Sequence, residues 1–141
     1  MDNKIWDRKI LAIIDIIIFI LSLVYMIVYK QSLEEISNMS YDITYKVIYA
    51  SVVIPCLYFS ISSILTLVVS KCVLMTISKK MCIIFTSMSF VGILFYIFMM
   101  ILHFIMENGN SIYYFLGNKT YIFAVLGIMM SLGACKNNYN K

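Results

Sequence analysis

Apolar residues in this chain do not alternate with polar ones or recur at a helical interval; they run in long blocks, and charged residues mark the ends of each block. Twenty residues between Lys9 and Lys30 carry one charge, Asp15, and the twenty-four between Lys46 and Lys71 carry none. A third block lies between Lys80 and Glu107, and a fourth between Lys119 and Lys136. A helix of about 20 apolar residues crosses a hydrocarbon core of about 30 Å. The pattern therefore predicts an all-α integral membrane protein with four transmembrane helices, over about 10–29, 47–70, 81–106 and 119–135.

The fourth block is the shortest. Its sixteen residues between Lys119 and Lys136 make about 24 Å of helix at about 1.5 Å per residue. Ile112 to Leu116 can extend it at its start, and Lys119 can snorkel outward; a re-entrant segment is the competing arrangement. Strands are excluded on physical grounds. Backbone groups in lipid must pair within a helix or a closed barrel, and barrel strands alternate apolar with polar residues, which these blocks do not do. The spans pair as two hairpins with short loops, and no linker divides the chain, so residues 1–141 form one predicted domain.

Composition agrees with the pattern. Apolar types make up 62% of the chain and charged types 13%, against about 25% charged in a soluble domain. Lys4, Arg8, Lys9, Lys71, Lys79, Lys80, Lys136 and Lys141 flank one side of the predicted spans, and Lys30, Lys46 and Lys119 flank the other. Eight basic residues against three place both termini inside by the positive-inside rule. Tyrosines near the predicted outer boundary and Trp6 near the inner one suit the headgroup zone. The first block is too long for a signal-peptide core and lacks a small-x-small cleavage pattern, so it is expected to be retained. The net charge of +4 follows from these flanks and gives no reason to expect nucleic acid. Lys71, Lys79 and Lys80 would attract anionic lipid by about 1 kcal/mol each.

Within this plan Asp15 stands out as the only acidic residue inside a span. An acid at mid-membrane costs about 2.5 to 3.5 kcal/mol on insertion scales and normally faces a bundle interior or a water pocket. It lies six residues past Lys9, about 9 Å along the helix. Thr66, Thr86, Ser87 and Ser131 fall at similar distances from Lys71, Lys80 and Lys136, so a polar layer of Asp15, Thr66, Thr86, Ser87 and Ser131 is expected. Ser22 and Tyr29 continue the Asp15 stripe, and Ser51, Pro55, Ser62, Ser63, Thr66 and Ser70 share one face of the second span. In one reading Asp15 is protonated and fixes packing, each such bond being worth about 0.6 kcal/mol; in the other it titrates and couples proton movement to a substrate. The layout, four spans with one acid in the first, is similar to that of small multidrug-resistance transporters. Those proteins carry a glutamate in its own first-helix setting, and the run Ala12 to Ile16 around Asp15 matches the layout without that motif.

Pro55 removes the donor that would normally serve the Ser51 carbonyl, which predicts a kink. His103 is the only histidine, and Cys56, Cys72, Cys82 and Cys135 form no C-x-x-C pair, so no metal site or cofactor is expected. Two glycosylation sequons begin at Asn38 and Asn118, in predicted outer loops. The isoleucine, lysine, asparagine and tyrosine bias resembles translation from an AT-rich genome and points to a bacterial plasma membrane. Without a nucleophile set or phosphate loop the chain is not expected to be an enzyme. Three classes stay open: an accessory, regulatory or immunity-type subunit packing against a membrane-protein partner or a second copy; a small oligomeric proton-coupled transporter using Asp15; and a holin-like pore former.

Overall fold

The computed structural model describes residues 8–35, 48–73, 77–105 and 119–134. Trp6, Cys135 and the sequons at Asn38 and Asn118 lie outside the described residues. Helix α1 covers Arg8–Glu35. Helix α2 opens with a π turn, Tyr49–Val53, and continues as α-helix through Ile54–Cys72. Helix α3 covers Lys79–Ile105, and α4 covers Tyr121–Gly133. No strand occurs among the described residues.

Three of these helices are long and apolar enough to cross a membrane: Arg8–Val28, Tyr49–Cys72 and Lys79–His103. The fourth, with thirteen residues, is about 20 Å long and falls short of a hydrocarbon core of about 30 Å. In α1 the helix also runs past Lys30 to Glu35, because a charge ends an apolar block without ending a helix.

The distribution of side chains inverts that of a soluble bundle. Asp15, Ser60, Ser63, Ser89 and Ser131 are completely buried, and Ser22, Ser51 and Ser70 nearly so. Meanwhile Ile13, Ile17, Leu21 and Val28 of α1, and Met88, Val91, Phe95 and Phe98 of α3, lie half or more exposed. In water such a surface would form an apolar patch far beyond the few hundred Å² that a soluble monomer tolerates. Hydrocarbon removes that cost, and it leaves helices to associate through close packing and polar contacts.

Partner contacts fix the arrangement. Helix α1 packs on α2, α2 on α4, and α4 on α3. Arg8 meets Ser70 and Asp15 meets Ser63, so α1 and α2 run antiparallel. Tyr96 meets Phe123 and Thr86 lies against Gly133, so α3 and α4 are antiparallel too. Ser63 bonds Ser131, and the Phe59 carbonyl faces Gly127; both pairs lie 68 residues apart, so α2 and α4 run parallel. Two hairpins are thus joined along an α2–α4 seam, with α1 and α3 on its outer sides.

Glycines bring α4 close to both of its neighbours, Gly127 to α2 and Gly133 to α3. A Cβ at Gly127 would run into the Phe59 carbonyl oxygen and the Ser62 hydroxyl, and one at Gly133 would strike the Thr86 hydroxyl and come within 3.1 Å of the Cys82 carbonyl. Small residues that let helix backbones approach are the usual basis of association in lipid.

The irregularity expected at Pro55 takes the form of the π turn just before it, a common way for a helix to accommodate a local mismatch. Pro55 offers no N–H to the Ser51 carbonyl. The Tyr96 hydroxyl, reaching across from α3, donates to that carbonyl at 2.7 Å. Its ring packs edge-on against Phe123, with centroids 4.7 Å apart.

Candidate functional site

The polar residues with most chemical interest meet where α1, α2 and α4 come together. Along α1, Arg8, Leu11, Asp15 and Ser22 follow steps of three, four and seven residues and therefore share a stripe; this is the stripe that faces α2. Arg8 anchors its end. One guanidinium nitrogen donates to the Leu67 carbonyl and, at 2.6 Å, to Ser70 Oγ, while Ser70 Oγ itself donates to the same carbonyl at 3.1 Å. A cation at the C-terminal end of α2 also complements the helix dipole.

Asp15 sits two turns further along, with none of its surface accessible. Its Oδ2 is hydrogen-bonded to Ser63 Oγ, and Ser63 Oγ is in turn 2.6 Å from Ser131 Oγ. The Ser131 hydroxyl also lies 2.9 Å from the Ser63 carbonyl oxygen, to which it can donate. Three helices are joined through one serine. The other carboxyl oxygen, Oδ1, is buried and has no hydrogen-bond partner among the described residues. Between the cluster and the Arg8 end, Leu11, Leu67, Met130 and Ala134 pack together as an apolar layer, with Ala12 and Phe59 against it.

Of the residues expected in a polar layer, the structure brings Asp15 and Ser131 together through Ser63. Thr66, Thr86 and Ser87 stand apart from them. The Thr66 hydroxyl donates to the Ser62 carbonyl of its own helix at 2.7 Å, and Thr86 likewise to Cys82 at 2.9 Å. This backbonding is how hydroxyls satisfy themselves within a helix. Ser87 is exposed on α3. The packing order explains the separation: α3 is held to the seam by α4 and lies on the far side from α1. Its polar links are Ser89, whose buried hydroxyl donates to the Leu126 carbonyl of α4 at 2.8 Å, and Tyr96 on the Ser51 carbonyl of α2.

An open groove on α3 is lined by Ser87, Met88, Val91, Gly92 and Phe95. Its lining is almost wholly apolar, and it lies away from Asp15. No cluster of three or more His, Cys, Asp or Glu that could hold a metal ion occurs among the described residues. Lys9, Lys71, Lys79 and Lys80 are exposed at the same end of the molecule as Arg8. Lys119, by contrast, stands at the start of α4, 5.9 Å over the Tyr121 ring.

Compared with protein-family models, with curated proteins and with solved structures, the chain matches none.

Proposed function

We propose that this chain is a small multi-pass membrane subunit without enzymatic chemistry of its own, acting by packing against a membrane-protein partner as an accessory, regulatory or immunity-type component. In this reading all four helices insert as two hairpins with both termini inside, in a plasma membrane of bacterial type. The weight of basic residues at one end and the composition bias support that orientation and setting. Helix α4, short for a free span, is covered by α2 and α3 on its long sides.

The observation that carries the proposal is the sealing of the polar interior. Asp15 has no accessible surface and is bonded within the bundle, whereas a carboxyl that passes protons or cations to a substrate must meet water or that substrate. What the molecule offers to its surroundings is the apolar outer faces of α1 and α3 and a cluster of exposed lysines. Those are the elements of a packing surface.

Purified protein reconstituted into vesicles is expected to pass neither protons nor a trapped dye above the level of empty vesicles. Photo-crosslinkers placed at Leu21 or Val91 in cells are expected to capture one defined membrane protein, and those at Leu11 or Ser22 to capture none. A proton flux abolished by Asp15→Asn would replace this proposal with the transporter; dye leakage would replace it with the pore former.

A further inference from the structure

The Asp15 cluster contains more close oxygen contacts than its serines have protons to fill. Three pairs are in hydrogen-bond contact: Asp15 Oδ2 with Ser63 Oγ, Ser63 Oγ with Ser131 Oγ at 2.6 Å, and Ser131 Oγ with the Ser63 carbonyl at 2.9 Å. Each contact is a full two-centre hydrogen bond only with its own proton on the line between its oxygens. A serine hydroxyl supplies one proton, a carbonyl supplies none, and an ionised carboxylate only accepts. Two serines therefore fill two of the three contacts. With an ionised carboxylate, Ser63 would donate to Asp15, and Ser131 would have to share its one proton between Ser63 Oγ at 2.6 Å and the Ser63 carbonyl at 2.9 Å, a weaker three-centre arrangement.

We propose that Asp15 is a proton-binding site, its carboxyl holding a proton on Oδ2 that begins a one-way chain from Asp15 to Ser63 Oγ, on to Ser131 Oγ, and finally to the Ser63 carbonyl. Each of the three contacts then carries one proton. The same assignment explains Oδ1. In a neutral acid it is a carbonyl oxygen, whose lack of a partner costs far less than that of a buried carboxylate oxygen.

Surrounding charges point the same way. Ser63 faces Asp15 from α2, and Ser131 of α4 stands behind it on Ser63. The described cations of these helices stand at their ends: Arg8 is engaged on Leu67 and Ser70, Lys9 and Lys71 are exposed beside it, and Lys119 lies over Tyr121. The backbone positions of Lys30, Glu34 and Glu35 are fifteen or more residues further along α1, about 22 Å or more of helix rise. No described cation is placed to balance a charge on Asp15. The bound proton thus acts as a lock, linking α1 to the α2–α4 seam; its removal would turn the Ser63 hydroxyl round to the carboxylate, take the Ser63 proton out of the contact with Ser131 and leave an unpaired charge in the core.

The test is infrared difference spectroscopy of the full chain in lipid at neutral pH, wild type against Asp15→Asn. The carboxamide can donate to Ser63 as the acid does, so the variant is expected to keep the fold. A protonated-carboxyl stretch present in wild type and missing from Asp15→Asn is expected, and it should move to higher frequency in Ser63→Ala, where the acid loses its acceptor. If Ser63→Ala does not fold, Ser131→Ala should move the same band by a smaller amount in the same direction. A carboxylate signal assigned to Asp15 in place of that band would overturn the proposal. So would a protonated band that neither serine substitution moves.

Discussion

Gly127→Leu is expected to abolish the folded form. Overpacking a close-packed interior commonly costs about 1–3 kcal/mol and sometimes more, and the higher figures apply where the obstacle is rigid. At Gly127 the obstacle is the Phe59 carbonyl oxygen on the facing backbone, together with the Ser62 hydroxyl. The Ser62 side chain can rotate, but the carbonyl belongs to the helix backbone and cannot, so α2 and α4 must separate. That separation would also part Ser63 from Ser131, one turn along the same seam. A loss of at least about 3 kcal/mol is expected, measured as the midpoint of unfolding in mixed micelles on titration with a denaturing detergent. Gly92→Ala supplies the contrast. Its Cβ meets only the methyl groups of Leu126, the nearest at 2.7 Å, and these can turn aside, so a shift of about 1 kcal/mol or less is expected.

Ser63→Ala is expected to have the second largest effect, for a different reason. It removes almost no volume, but it leaves the Asp15 carboxyl without its one described hydrogen-bond partner and Ser131 without one of its contacts. A buried polar group stranded in this way costs about 1–3 kcal/mol. The size of the effect should depend on the acid. In the Asp15→Leu background no carboxyl is left to strand, so Ser63→Ala should cost markedly less, and the double variant should be more stable than the sum of the two single losses. Equal losses in both backgrounds, by the same unfolding titration, would mean that Asp15 and Ser63 do not depend on each other.

How much of this was legible in the sequence depends on what set each feature. The three long helices follow from gaps between charges, because lipid admits few charged residues and the gaps are longer than a span. The end of α1 does not follow, since Lys30 marks the end of an apolar block within a helix that continues to Glu35. Asp15 and Ser131 could be placed at one depth by counting from the nearest lysines. Ser63 could not, because that count runs from Lys71 and selects Thr66.

The structure explains the difference. The register of α1 on α2 is set by Arg8 on Ser70; Asp15 lies seven residues after Arg8, and its partner Ser63 lies seven before Ser70. Ser63 was visible only as a member of the polar face of α2. Equal depth also cannot reveal which helices are neighbours. Thr86 and Ser87 are well placed along α3, but α3 packs on α4 and not on α1. The role of Tyr96 was hidden for the same reason: Pro55 advertised a carbonyl in need of a donor, and nothing in the sequence named the helix that supplies it.

The most direct measurement is the surroundings of the exposed apolar faces. Spin labels at single cysteines replacing Ile17, Leu21, Val91 and Phe98, in cysteine-free protein reconstituted into vesicles, would be compared with labels at Leu11 and Ser22. Collisions with dissolved oxygen, which concentrates in hydrocarbon, should be frequent at the first four sites, and collisions with a water-soluble nickel chelate rare. Both reagents should be excluded at Leu11 and Ser22. Ready access of the nickel chelate to Leu21 and Val91 would mean that these faces meet water, and that the chain is not built for a membrane.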